Sequence, residues 1–257
     1  MNSADSRTRA TTSICTYDAD NILIRNKNLV DELIGNYSFT QLLLLQALGD
    51  EPTPMQCRIV DSVLVTIMEH GLVPSAVATR LTYYGAPESF QGAVVAGLLG
   101  VGDRYAGTAG ECGAILERIV SVDEGARKSK AVEEVASYRQ IRRPVPGFGH
   151  PIHQEHDARV NRLITVAREA GAGGEFIAAM ELLETSLRET LGKPLVTNIS
   201  AAIAAVLGEA GVPSALMRGI VLTARCAGLV GHLYEEMNKP AAHDMWVAAQ
   251  SAVDYEG

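Results

Sequence analysis

Ser214–Met237 reads SALMRGIVLTARCAGLVGHLYEEM, and the reading of this stretch decides the fold. Its apolar residues recur at helical spacing and do not alternate, so it is a helix. A membrane span needs about 20 nearly uncharged apolar residues, and Arg218, Arg225 and His232 interrupt Leu216–Leu233. The stretch therefore reads as a helix buried in protein. Arg225 sits between Ala224 and Cys226, where an unpaired guanidinium is costly; it needs an acidic side chain or an anionic ligand. Glu235 and Glu236 lie ten residues or more along the same helix, too far to serve.

Working outward, Asn198–Glu209, Glu175–Leu191 and Asp157–Ala170 repeat the helical period. Gly171–Gly174, Gly192-Lys193-Pro194 and Gly211-Val212-Pro213 divide them. Upstream, Glu124–Arg142 is a charged, exposed helix, and Ser89 to about Ile119 is an apolar helical region dense in glycine. Pro74-Ser75 opens another helix. Thr53-Pro54 caps one whose Ile59, Val60, Val63, Leu64, Ile67 and Met68 keep the period up to Glu69-His70-Gly71. Asn21–Leu33 is a brief extended entry and Tyr37–Leu48 a first helix. No strand-like alternation competes, so the class is all-α. The clearest loop is Arg143–Pro151, with prolines at 144, 146 and 151 and glycines at 147 and 149. The expected organisation is a polar segment 1–20, a large helical domain from 21–142 and 192–257, and a small domain 143–191, with a cleft at the junction.

Apolar residues are 47% of the 257 and charged residues 20%, a globular balance that excludes a disordered polyelectrolyte. The formal net charge of −8 provides no field to gather nucleic acid or anionic lipid, so an anionic ligand requires a local cationic pocket. Cys15, Cys57, Cys112 and Cys226 lie far apart, which argues against a zinc knuckle and a disulfide framework. The polar first dozen residues lack the apolar run of a signal peptide, and the expected setting is the cytoplasm. The Gly- and Ala-rich helices between Ser89 and Ile119 exceed what a monomer with few aromatics needs to cover, and point to a dimer.

Candidate chemistry gathers at four side chains. His150 is held out of regular structure by glycine and proline, and can either exchange a proton near neutral pH or cap a turn. His150, His153 and His156 recur every third residue, but Pro151 intervenes, and no metal site is expected. His70 ends an apolar helix, where it either caps the carbonyls or reaches into a cleft. Arg159 stands at a helix start, where the dipole favours anions. With Arg225 and the two histidines it makes either a carboxylate-binding cluster or a set of structural ion pairs. GxGxxG, Walker A, GxSxG and HExxH patterns are absent.

Glu69-His70-Gly71 with Pro74-Ser75, Ala96–Leu99 with Gly102-Asp103-Arg104, Gly147–Pro151 with Asp157-Ala158-Arg159, and Ala224–His232 occur in that order. The ordered set resembles the citrate synthase superfamily from about Asn21 to Met237. The short chain looks like its citryl-CoA lyase branch, and is similar to the lyase module of ATP-citrate lyase. The resemblance implies an all-α fold of large and small helical domains, an obligate homodimer or higher homo-oligomer, and retro-Claisen cleavage of a hydroxyacyl-CoA. Coenzyme A then belongs to the substrate, the other half is a small carboxylic acid, and no cofactor is tightly bound. By position it assigns substrate binding to His70 and the oxygen that becomes a ketone to His150. Arg159 and Arg225 would take carboxylates, and the backbone around Val145, Pro146, Gly147, Phe148 and Gly149 the coenzyme A.

Three departures bear on the chemistry. Tyr105 stands where the synthases place the histidine that stabilises the thioester enol, which favours cleavage. Asn198-Ile199-Ser200-Ala201 stands where the family carries Asn-x-Asp-Gly, so Ser200 takes the place of the catalytic carboxylate and cannot exchange a carbon-bound proton as aspartate does. Asp103 and Asp157 are candidate replacements. Lys239–His243 lacks the additional arginine often found near the C-terminus. The expected function is a citryl-CoA lyase-like carbon–carbon lyase. The alternatives are a synthase-type Claisen condensation of an acyl-CoA with a 2-oxo acid, or a catalytically silent subunit that binds a CoA thioester.

Overall fold

Helices carry the chain almost from end to end. The computed structural model describes residues 10–103, 108–149, 157–193 and 195–256, in two units, one ending at Cys57 and one beginning at Arg58. The first unit holds a three-stranded antiparallel sheet, β1 (Cys15–Tyr17), β2 (Ile22–Ile24) and β3 (Lys27–Asn28), in the order β1-β2-β3. Cys15 lies opposite Ile24 and Leu23 opposite Asn28. Arg25 and Asn26, both at positive φ, make the turn between β2 and β3. A π-helical turn, Leu29–Leu33, follows, with the Asn28 side chain accepting from the amides of Val30 and Asp31. Helix α1 (Phe39–Leu48) starts on a reciprocal Ser38–Gln41 capping box and ends on Gly49. The sequence reading has only an extended entry here, because strands of two or three residues are too short for alternation to register.

The second unit contains the remainder of α2 (Pro54–Ile67), then α3 (Pro74–Gly85), α4 (Phe90–Leu99), α5 (Thr108–Val120), α6 (Arg127–Gln140), α7 (Ala158–Glu169), α8 (Glu175–Leu191), α9 (Ile199–Glu209), α10 (Ser214–Asn238) and α11 (Ala242–Ala252). The expected helix bounds fall within a few residues of these. Asp157 and Asn198 turn out to be the N-cap residues of α7 and α9. Helix α11 is an addition to the sequence reading.

Helix α9 is buried along nearly its whole length and packs against α5, α7, α8 and α10. Helix α10 packs against α3, α4, α5 and α9. Its length and composition alone would allow it to cross a membrane, yet Arg225 and Glu236 are both buried against protein. At Gly228 the backbone of α10 rests on the end of α2: a Cβ there would stand 2.2 Å from the Met68 carbonyl oxygen. Only glycine permits that approach.

The far end of α10 is fastened by charge. Arg80 of α3 and Glu236, 2% and 4% exposed, form an ion pair at 2.7 Å, and Arg80 also bonds Glu235. The second Glu236 oxygen accepts from the amides of Ala241 and Ala242 at 2.9 and 2.8 Å, which caps α11. Arg80 Nε donates to His232 Nδ1 at 3.0 Å, tying in one more turn of α10.

Burial acts to raise the Glu236 carboxyl, but the Ala242 amide, the Arg80 guanidinium and the Ala241 amide together hold it below its usual 4.5. A carboxyl depressed in the fold contributes stability above its unfolded pKa, and that contribution is lost as pH falls through the folded value. Glu236→Gln should therefore cost about 3–5 kcal/mol near neutral pH, the expected loss for breaking a buried pair. The deficit should shrink on acidification below about pH 4. Urea denaturation of both proteins at the two pH values checks this, and a deficit that grows in acid contradicts it.

Candidate active site

Within the second unit a cleft of about 730 Å³ is lined by the end of α2 and the turn after it, by the segment 143–149, and by residues of α3, α5, α7, α9 and α10. Pro74 and Ser75, Thr108, Arg159, and Ile199 and Ser200 are all first-turn residues of their helices, and all line it. Four helix N-termini thus contribute the positive ends of their dipoles, while the amides of Arg159 and Ser200 are taken by the cap side chains of Asp157 and Asn198.

The segment 145–149 is clamped to the start of α9. Gly149 donates its amide to Val196 at 2.7 Å, and the Asn198 amide donates to Gly147 at 3.0 Å. Phe148 and Thr197 form an antiparallel bridge between them. The Asn198 side chain works in both directions. Its Nδ2 donates to the Gly149 carbonyl at 2.8 Å, and its Oδ1 accepts the Ser200 amide at 2.9 Å. Gly147 has φ +90°, and a Cβ there would stand 2.8 Å from Ala201 Cβ and 2.9 Å from Cys112 Sγ. Backbone strain and crowding both exclude larger residues. Beneath the loop, burial pushes the Cys112 thiol up to about 12, so it packs as a neutral group.

Arg225 is the electrostatic centre. It is 5% exposed and lines the cleft, and among the described residues it has no carboxylate within ion-pairing distance. Burial lowers its pKa; Glu69 at longer range opposes the shift and Arg159 reinforces it. A guanidinium nevertheless stays protonated. The other arginines of the cleft are paired. Arg159 puts Nε and Nη2 on the two oxygens of buried Asp157 at 2.9 and 2.8 Å, while Arg143 lies 3.3 Å from Glu111. Asp103, at the cleft wall, bonds Arg218 at 2.8 Å.

His70 stands exposed at the rim, its amide donating to Glu69 at 2.7 Å. Burial acts to raise the Glu69 carboxyl, but the amides of His70 and Gly71 and the His232 ring outweigh it and hold the group low. His232 Nε2 lies 3.0 Å from Glu69, within ion-pairing reach but off the line of a proper hydrogen bond.

The structure thus brings His70, Ser200, Arg159, Arg225 and Val145–Gly149 to one cleft. His150, His153, His156 and Tyr105 lie outside the described residues. Asp103 lines the cleft, whereas Asp157 serves as the partner of Arg159 and the cap of α7. Sequence reasoning missed Glu111 and did not single out Arg143. Both sit in stretches read for their glycines and prolines, and nothing local marks them. Among the described residues no three His, Cys, Asp or Glu side chains could jointly hold a metal.

Residues 8–244 match the family described as citrate synthase, C-terminal domain. Citryl-CoA lyase from Hydrogenobacter thermophilus is similar at 30% identity and a TM-score of 0.84, over 96% of this chain and 94% of that one. ATP citrate lyase of Methanosaeta concilii, a D541A mutant solved with (3S)-citryl-CoA, shares the fold at 19% identity and TM-score 0.75, over 99% of this chain and 42% of that one. Citrate synthase from Thermotoga maritima MSB8 does so at 20% identity and TM-score 0.64, over 80% and 56%. No curated protein sequence matches.

Replacing Arg225 with methionine removes a desolvated charge that no described carboxylate balances, so the fold should keep its stability or gain some. The same change should weaken the binding of small carboxylates, citrate among them, by about 2–5 kcal/mol. Thermal unfolding with and without citrate separates the two effects. Equal loss of stability and of citrate response would make Arg225 a structural residue.

Proposed function

Because the chain belongs to the citrate synthase family, we propose that this cleft performs retro-Claisen cleavage of a hydroxyacyl-CoA thioester, as a citryl-CoA lyase-like enzyme. The observation that carries the reading is Arg225, a buried guanidinium lining a cleft ringed by helix N-termini, which needs an anionic group. The similarity to a citryl-CoA lyase over nearly the whole of both chains supports the same choice.

The hydroxyl of the substrate loses its proton and its oxygen becomes the ketone of a 2-oxo acid. The carbon–carbon bond breaks, and its electron pair passes to the acyl α-carbon as a thioester enolate, which then takes a proton at carbon. Arg225, with Arg159 beside it, holds the carboxylate end and aligns the breaking bond. Backbone of Val145–Gly149, locked onto α9, takes the thioester and coenzyme A, which enters as substrate. By family position, His70 and His150 contact the hydroxyl and its developing ketone. Ser200 is too weakly acidic to protonate carbon unaided, so the proton comes through a water relay at Ser200 or from Asp103 or Glu111, the carboxylates of the cleft wall.

The enzyme works as a homodimer or higher homo-oligomer in the cytoplasm, with residues 143–191 as its small domain. Half-exposed or exposed Val95, Leu99, Val230 and Tyr234 on α4 and α10 offer apolar surface to a second copy. Ser200 also favours a second reading, a subunit that binds the thioester without turning it over.

Incubation with a panel of hydroxyacyl-CoA thioesters, followed by mass analysis, tests the proposal: an acyl-CoA and a 2-oxo acid should appear together. Binding without products would leave the silent subunit. On citryl-CoA itself the wild type should be slow, and Ser200→Asp should raise turnover by about ten-fold or more if it restores acid–base catalysis. Fast wild-type cleavage that Ser200→Asp slows would show that another group has taken over proton transfer.

A further inference from the structure

Behind the cleft, the turn that carries His70 is fastened to α10 through one carboxylate. Glu69 follows the end of α2 and does not line the cleft, whereas His70, Leu72 and Val73 do. One Glu69 oxygen accepts the His70 amide at 2.7 Å, and the carboxylate also takes the amide of Gly71, whose φ of +71° turns the chain. The other oxygen faces His232 Nε2 at 3.0 Å.

The far side of that ring fixes where its proton sits. A guanidinium only donates. His232 Nδ1, which takes Arg80 Nε at 3.0 Å, is therefore unprotonated, and the neutral ring carries its hydrogen on Nε2. That nitrogen is buried, and among the described residues it has no other partner than the Glu69 carboxylate it faces. Glu69 thus makes two contacts that need two acceptor oxygens, and a side-chain amide offers only one. Arg80 prevents the ring from switching tautomer to suit an amide donor. Arg225, Gly228 and His232 share one face of α10, and a Cβ added at Gly228 would stand 3.2 Å from the same Glu69 oxygen. The turn and the helix are packed without slack, so the separation between Arg225 and the His70 turn is set.

On the reading of the cleft given above, in which Arg225 takes a carboxylate and His70 the substrate hydroxyl, we infer that Glu69 is a positioning residue. It holds the His70 turn against α10 so that the hydroxyl and carboxylate of one ligand are met together. A carboxylate ligand without a hydroxyl has no need of it.

Citrate and propane-1,2,3-tricarboxylate, which is citrate with hydrogen in place of the hydroxyl, are the probes, with affinities from calorimetry on the full chain. The wild type should prefer citrate by about five- to ten-fold, the worth of one hydrogen bond. Glu69→Gln should remove most of that preference and keep the affinity for propane-1,2,3-tricarboxylate within about three-fold. In a His70→Ala background, where the preference is already gone, Glu69→Gln should change nothing further, as expected of residues that act as one unit. His232→Phe keeps the ring without its nitrogens and should act as Glu69→Gln does, which keeps the test open should the latter fold poorly.

A preference that survives Glu69→Gln overturns the inference, and so does an equal loss for both ligands, the mark of a merely structural role. No preference in the wild type overturns it as well. Binding of neither ligand overturns both the inference and the carboxylate reading of the cleft. A preference lost on mutation, in a protein that cleaves no hydroxyacyl-CoA, removes the lyase reading and leaves the positioning role standing.

Discussion

A guanidinium held out of water, with no carboxylate among the described residues in ion-pairing reach, constrains everything around it. Arg225 cannot shed its proton, and its burial opposes folding, so α10 has to be fixed by contacts further along it. One turn on, Gly228 lets the helix rest on the Met68 carbonyl. The next turn places His232 beside Glu69 and under Arg80. At the end, Glu236 joins Arg80 to the first amides of α11. These contacts offset the desolvation of Arg225 and hold its charge in the cleft, where an anion recovers part of the cost.

The same arrangement explains why helix ends converge. Helices α3, α5, α7 and α9 all begin at the cleft, so the positive ends of four helix dipoles meet where negative charge is expected. The mutual hydrogen bonds of Gly147–Gly149 with Val196–Asn198 make one wall a rigid backbone surface. The positive φ of Gly147, together with the proximity of Ala201 and Cys112, accounts for a glycine there.

Much of this was legible in the residues. Apolar period, glycine breaks and Pro74 gave the helices, and Arg225 announced itself by standing in an apolar run with no partner in reach. The ordered motifs supplied the family. Other features depend on chain folding that no local pattern encodes. The strands at Cys15–Asn28 are too short to alternate, and α11 starts on the capping bonds of Glu236, whose carboxylate Arg80 of α3 holds in place. The bidentate hold of Asp157 on Arg159 and the arrival of Glu111 at the cleft are likewise tertiary facts. Aspartate before an arginine reads equally well as a cap or as a counter-ion, and here it is both.

The fold and its neighbours agree on the citrate synthase family, and Arg225 and Ser200 line one cleft. In the proposed reaction, binding and proton transfer fall to residues of different status: an arginine whose charge demands a ligand, and a serine that needs help. The account stands on the first of these. Its most direct measurement is a crystal structure with a hydroxyacyl-CoA, or an unreactive analogue, bound. The acid half should place a carboxylate about 3 Å from the Arg225 guanidinium, with the thioester along Val145–Gly149. A ligand seated elsewhere, with Arg225 facing only protein, would contradict the account.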